Sequence, residues 1–299
     1  MSELLNKTQP AVWSDHPHRM VRAPYGGGTT TASFDHVYHR VALFGGIYNN
    51  YWALEAVIAD AVSRGADLLL CLGDMGGFGP SPERIVPLLQ GAGVPSIAGN
   101  YDQSLAQGLE DCGCGYTDPT DNYYAQISYA HTFSNTPVEH RAWLGSLPQQ
   151  ARVQVGEHLV HCCHGSPRRT NEFLWETATS DALLERFLDD CEADVLAFTH
   201  TGIKWQRRLR ADGREALAVN IGVIGRPEND GTTGVWYTMI DGNDGLDVQF
   251  IGIEYDHELL AAEMVAERLP KEFVQTTLTG WWTTCLEILP AKERLRGRY

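Results

Sequence analysis

Apolar residues fall into short, dense runs separated by polar turns, and the regular pattern starts near Val41. Val41-Ala42-Leu43-Phe44 ends in Gly45-Gly46, which predicts a buried strand running into a turn. Leu54, Val57, Ile58, Ala61 and Val62 follow at the spacing of one helix face. Leu68 to Leu72 predicts a second buried strand. Pro82 opens a second helix, in which Pro87 marks a kink or an early end, and Val94 to Ala98 predicts a third strand. Strand, helix, strand, helix, strand with short connections means parallel pairing and right-handed crossovers.

Further along, Glu110 to Tyr129 reads as a long loop of the kind that often forms a lid. Thr136-Pro137-Val138-Glu139 then offers a capping box with proline at the first helical position. Strands are expected at Val153–Val155, Leu159–Cys162, Asp194–Phe198, Ala216–Ile221, Val235–Ile240 and Val248–Ile253. His257 to Ile288 turns helical and carries Trp281 and Trp282, an apolar pair suited to covering the core or a partner subunit. Residues 1–40, with Gly26-Gly27-Gly28, look loop-like. The expected division is an arm over 1–40, a main domain over 41–256 and a helical extension over 257–299, with homo-oligomerisation through the C-terminal helices as an option.

Of the 299 residues, 43% are hydrophobic and 20% charged, a composition that supports a full core. The formal net charge of -15 argues against broad nucleic-acid binding. No run of eighteen apolar residues is present and Met1–Pro10 lacks an apolar signal core, so a cytoplasmic protein with no membrane span is expected. Cys71, Cys162 and Cys163 fit reduced thiols, and Cys112-Gly113-Cys114 reads as a loop with two thiols, able in principle to bind metal or cycle its redox state. His16, His18, His36 and His39 belong to no motif and read as surface residues.

Five polar stretches fall just past predicted strand ends, the edge where open α/β sheets bind ligands. They are Gly45–Asn50, Gly73-Asp74, Gly99-Asn100-Tyr101-Asp102, His164-Gly165-Ser166-Pro167 and Thr199-His200-Thr201-Gly202. Any one of them is weak, but an Asp, an Asn and two His at strand ends in this order is much more specific.

In that order the motifs resemble those of the calcineurin-like metallophosphoesterases. Gly73 to Pro82 and Asn220 to Pro227 are similar to the bacterial phosphodiesterase branch, and the resemblance covers roughly Val41 to Asp256. It implies a four-layer α-β-β-α sandwich and a two-metal centre built from seven side chains. In the family one metal takes the Asp and His of the first motif and the final His. The other takes the Asn, the lone His and the first His of the last motif, and the Gly-Asp carboxylate bridges both. Here the first motif reads Gly46-x-Tyr48, the family's catalytic His is Tyr101, and the last motif ends in Gly202. The three missing ligands all belong to the first metal alone, and Asp74, Asn100, His164 and His200 survive as a complete second set.

The resemblance therefore implies hydrolysis of a small phosphate ester at one divalent transition metal. Two imidazoles, a carboxylate and an amide oxygen suit Mn or Fe, with Zn or Ni also compatible. Asp74 would fix the metal and the reacting water, Tyr101 stands where the proton donor stands, and Tyr48 projects into the vacated space. Arg168 and Arg169 could clamp the phosphate. Restoring the lost ligands with Gly46→Asp, Tyr48→His and Gly202→His is expected to raise affinity for a second ion. Two other classes remain: a mononuclear iron redox or lyase enzyme using Asp74, His164 and His200, and an inactive phosphate-binding relative.

Overall fold

A computed structural model describes residues 20–25 and 29–295, with side chains from residue 30 onward. Met1–Pro10, His16, His18 and Gly26-Gly27-Gly28 lie outside the described residues.

The chain opens with β1 (Met20–Tyr25), β2 (Thr29–Tyr38) and β3 (Arg40–Phe44), then α1 (Tyr51–Ser63), β4 (Leu68–Cys71) and α2 (Pro82–Gly91). Three helices follow without a strand between them: α3 (Asn100–Gln107), α4 (Pro119–Asn135) and α5 (Val138–Leu144). The second half runs β5 (Gln150–Val155), β6 (His158–Cys163), α6 (Asp181–Asp190), β7 (Val195–Phe198), β8 (Trp205–Ala211), β9 (Arg214–Asn220), β10 (Val235–Asp241) and β11 (Asp247–Ile253). It closes with α7 (His257–Ala266), α8 (Lys271–Thr279) and α9 (Ala291–Arg294).

Two sheets result, one in the order β1-β2-β5-β6-β7-β9-β8 and one in the order β11-β10-β3-β4. Their central strands are apolar on both faces, as expected of sheets covered on both sides. Val41 and Leu43 of β3, Leu68 and Leu70 of β4, and Val195 and Ala197 of β7 meet in the core between the sheets. The alternate residues face outward: Ala42, Phe44, Leu69 and Cys71 pack beside residues of α1, α2 and α3, and Leu196 and Phe198 beside Leu184 and Phe187 of α6. The fold is the expected four-layer α-β-β-α sandwich.

Several local expectations are corrected. Residues 29–38 are not loop-like; β2 runs parallel to β5 inside the larger sheet, with a register shift between Ser33 and Val37. Val94–Ala98 forms no strand beyond a parallel bridge from Ser96 to Cys71. Glu110–Tyr129 is not one long loop: from Pro119 it is helix α4, capped by Asp118, whose carboxylate accepts from the N–H groups of Thr120 and Asp121. The capping box at Thr136 does not form, because Thr136 ends α4 and its hydroxyl donates to the Thr132 carbonyl. Helix α2 continues past Pro87 to Gly91. Cys112 and Cys114 are disulfide-bonded, while Cys71, Cys162, Cys163, Cys191 and Cys285 are free and buried. His36 and His39 are exposed, as expected. Among the described residues no helix is long and apolar enough to cross a membrane.

The C-terminal residues fold back over the main body. Phe273 of α8 packs on Phe78 with ring centroids 4.8 Å apart. Trp282 is fully buried in a cluster with Trp175, Ile203 and Leu289, so this half of the tryptophan pair covers the core. Two carboxylates pin the segment from either side: Asp121 accepts from Ile288 N at 2.9 Å, and Glu293 accepts from Thr177 N at 2.9 Å.

Candidate active site

The chemistry-bearing residues sit where the strands end, and several hold unusual backbone angles. Asp74 follows β4 with φ +55°, His200 follows β7 with φ +70°, and Tyr48 follows β3 with φ +51°. For residues with a Cβ this left-handed region costs roughly 1–2 kcal/mol each, and such outliers concentrate at functional sites. Gly99, just before α3, admits Asp74: a Cβ there would lie 2.2 Å from Asp74 Oδ1. The two loops are then stitched together. Tyr101 N donates to Asp74 Oδ1 at 3.0 Å, and the Asp102 carboxylate accepts from Asp74 N and Gly99 N at 2.8 Å and Met75 N at 3.0 Å.

Asp74, His164 and His200 converge, all buried, with one ligand-capable atom from each lying within 4.8 Å of the others. Asp74 Oδ2 is 3.1 Å from His164 Nε2, which is 3.2 Å from His200 Nδ1. His164 Nδ1 lies 2.7 Å from the Leu72 carbonyl, which fixes the proton on Nδ1 and turns Nε2 toward the cluster. Asn100 donates from Nδ2 to the Cys112 carbonyl at 2.9 Å, and its Oδ1 is buried with no partner. A buried acceptor without a donor is costly. Three facing lone-pair atoms and an orphaned amide oxygen fit a cation.

The electrostatics follow from these close contacts. Burial alone would raise the Asp74 carboxyl, but the charge and hydrogen bond of His164, with His200 behind it, hold it below the usual carboxylate range. Burial would lower His164; the Asp74 carboxylate more than offsets this and raises it. Burial and then the charge of His164 push His200 down to about 3, so it stays neutral at neutral pH. Burial raises the phenols of Tyr48 and Tyr101 well above their ordinary value, so both remain protonated donors.

Beside the cluster lies a cavity of about 60 Å³ whose walls include Tyr48, Asp74, Tyr101, Tyr116, His200, Arg226, Phe273 and Cys285. Tyr101 Oη is 3.0 Å from Ser128 Oγ of α4. Phe173 covers the His200 ring at 4.3 Å between centroids. The structure thus brings together Asp74, His164 and His200, with Tyr48 and Tyr101 on the cavity next to them. It does not bring in Arg168 and Arg169, which are exposed; Arg168 pairs with Glu172, and Arg169 Nε donates to Asn171. Among the described residues the arginine on the cavity wall is Arg226, for which the motifs imply no role, as they imply none for Asp102 or Ser128. A Gly-Arg-Pro turn after a strand carries no signal that separates it from a surface arginine.

Two of the three positions where the resemblance would place first-metal ligands, Gly46 and Gly202, are crowded. A Cβ on Gly46 (φ +53°) would lie 2.3 Å from Val223 Cγ1 and 3.0 Å from Tyr48 Cζ. A Cβ on Gly202 would meet Trp282 at 3.2 Å and Arg226 Nη2 at 3.3 Å. The 2.3 Å contact with Val223 at Gly46 counts against restoring the three side chains as a route to a second ion.

The sequence profile of the calcineurin-like phosphoesterase superfamily domain matches residues 38–243, and the chain belongs to that family of phosphoester hydrolases. An uncharacterized protein of Methanocaldococcus jannaschii, MJ0912, is 25% identical over 244 residues, covering 77% of this chain and 94% of its own. A metallophosphoesterase from Sphaerobacter thermophilus has a similar structure, with a TM-score of 0.62 at 25% identity over 81% of this chain and 99% of its own. The hypothetical protein PH1004 of Pyrococcus horikoshii shares the fold with a TM-score of 0.65 at 22% identity, covering 83% and 100%.

Proposed function

We propose that the chain hydrolyses a small phosphate ester at a single divalent transition metal, Mn or Fe in preference to Zn or Ni, held by Asp74, Asn100, His164 and His200. One observation carries this reading: Asp74 Oδ2, His164 Nε2 and His200 Nδ1 face one another at 3.1 and 3.2 Å, beside a family-matched domain's strand ends. When bound, such an ion polarises a phosphoryl oxygen and makes a nearby water more acidic. The protein's own groups do the rest. Asp74 stays ionised and is fixed by Tyr101 N. In this reading Tyr101, 3.0 Å from Ser128 Oγ, protonates the departing oxygen and Tyr48, on the same cavity wall, donates to the phosphoryl group. The cavity, at about 60 Å³, is well below the roughly 300 Å³ of a small-molecule pocket, so it takes the phosphoryl end and leaves the rest of the ester outside.

The test is elemental analysis of the purified full chain and of His164→Ala, with turnover measured on a panel of phosphomonoesters and diesters. About one ion per wild-type chain, lost together with turnover in His164→Ala, is expected, since removing one of four ligands leaves a weak site. Two full-occupancy ions sharing Asp74, or no hydrolysis of any ester after Mn or Fe loading, would refute it.

A further inference from the structure

Among the described residues Arg226 is the one arginine on the cavity wall, only 8% exposed. Among the described residues it forms no ion pair, and its Nε is buried with no hydrogen-bond partner. The carboxylate that shares its cavity wall and the one two residues on are already engaged. Asp74 faces His164 and accepts from Tyr101 N, and Glu228, two residues on, pairs with Lys204 and accepts from Lys204 N at 2.8 Å. A buried guanidinium without an anion is an unfavourable arrangement unless something supplies one.

Its side chain is also held in place. The guanidinium carbon lies over the Trp282 ring, 3.6 Å from its centroid, with the Tyr48 ring centroid 5.8 Å away. Trp282 is itself fixed at both ends, Nε1 donating to the Pro227 carbonyl at 2.6 Å and the backbone N to Asn229 Oδ1 at 2.8 Å. The turn that carries Arg226 therefore also clamps the ring it stacks on. The fork is oriented beside Gly202 and Tyr48, two of the three positions where the family would have metal ligands.

We propose that Arg226 is a catalytic residue that binds the phosphoryl oxygens directly, a fixed positive charge standing where the family has its other metal. The inference rests on the phosphoester reading. A planar guanidinium matches two phosphate oxygens at once, cannot lose its proton, and is oriented before substrate arrives. The working centre would be one ion plus one arginine, which accounts for the three lost ligands without losing the second charge.

The experiment uses the full chain as wild type, Arg226→Gln and Arg226→Lys, each titrated calorimetrically with Mn(II) and then with inorganic phosphate. All three should bind one Mn(II) with similar affinity. Phosphate affinity should fall roughly 10- to 100-fold in Arg226→Gln and less in Arg226→Lys, the loss expected for a charge-assisted bond. Added guanidinium ion should restore part of the phosphate binding of Arg226→Gln. Unchanged phosphate affinity in a folded Arg226→Gln overturns the proposal. A wild type that binds no metal sinks the single-metal reading instead, and phosphate titrated into the metal-free proteins still decides the role of Arg226. Should Arg226→Gln fail to fold, vanadate soaked into wild-type crystals decides: an oxyanion on the Arg226 nitrogens supports the proposal, and one elsewhere, or none, overturns it.

Discussion

Replacing Gly46 with alanine measures how firmly the space beside Tyr48 is closed. The new Cβ would sit at φ +53°, 2.3 Å from Val223 Cγ1, 2.8 Å from Val223 Cβ and 3.0 Å from Tyr48 Cζ. The left-handed backbone costs a non-glycine residue roughly 1–2 kcal/mol. Overpacking a fully buried spot adds roughly 1–3 kcal/mol, giving roughly 2–5 kcal/mol in all. Urea unfolding followed by tryptophan fluorescence would read this as a lowered midpoint at constant slope, and a thermal melt as a drop on the order of 4–20 °C. Val223→Ala removes the 2.3 Å contact and keeps the 2.8 Å one, so the double variant Gly46→Ala/Val223→Ala should couple favourably by about 1 kcal/mol. A single Gly46→Ala variant within about 0.5 kcal/mol of wild type, the range of an ordinary surface change, would refute the reasoning and leave room for a second ion after all.

Two further outcomes are expected. Tyr101→Phe should keep its metal while turnover falls roughly 10²-fold, the usual range for losing a general acid; unchanged turnover would reduce the phenol to a packing partner of Ser128. His161 is fully buried, its Nε2 2.9 Å from Gln150 Oε1 and its Nδ1 unpartnered, and burial pushes it down to about 4. Its unfolded value is near 6.5, so the unfolded chain binds the extra proton first. Stability from this group is complete above about pH 6.5 and declines as pH falls toward 4, by about 3 kcal/mol in total. The difference in urea stability between wild type and His161→Gln should therefore change with pH over that window; a constant difference would show that His161 does not titrate between the two states.

Much of the centre was legible because strands buried on both faces are written as dense apolar runs, and the residue following each run is the one delivered to the sheet edge. That logic pointed to Asp74, His164 and His200, which the structure brings together; Asn100 follows a run that forms only a bridge and stands out by its motif instead. The logic failed where burial is achieved by polar residues. Helix α4 turns Asp121, Ser128, Tyr129 and Thr132 inward, so its buried face shows little apolar periodicity. Helix α3 buries Asn100, Tyr101, Asp102 and Ser104 because it carries the site. Strand β2 is masked by its Thr, Ser, Asp and His residues, although Ala32, Phe34 and Tyr38 are core. Strand β8 was readable: Trp205, Leu209 and Ala211 alternate with exposed Gln206, Arg208 and Arg210, and the arginines disguised it as surface. The role of Arg226 depends on Trp282, 56 residues later, and no local pattern connects them.

The cavity wall has a consequence for the order in which the protein is made. Asp74, His164 and His200 are all translated well before Phe273, Thr284 and Cys285, which complete the enclosure, and before Trp282, on which Arg226 stacks. At roughly 5–20 residues per second, the stretch from His200 to Cys285 takes the ribosome on the order of 4–17 seconds. For that interval a nascent chain holds every ligand of the proposed ion and none of the tryptophan platform beneath Arg226. An ion captured in that interval would meet a pocket whose wall is incomplete and whose arginine has no ring to stack on, until the chain has been made as far as Cys285.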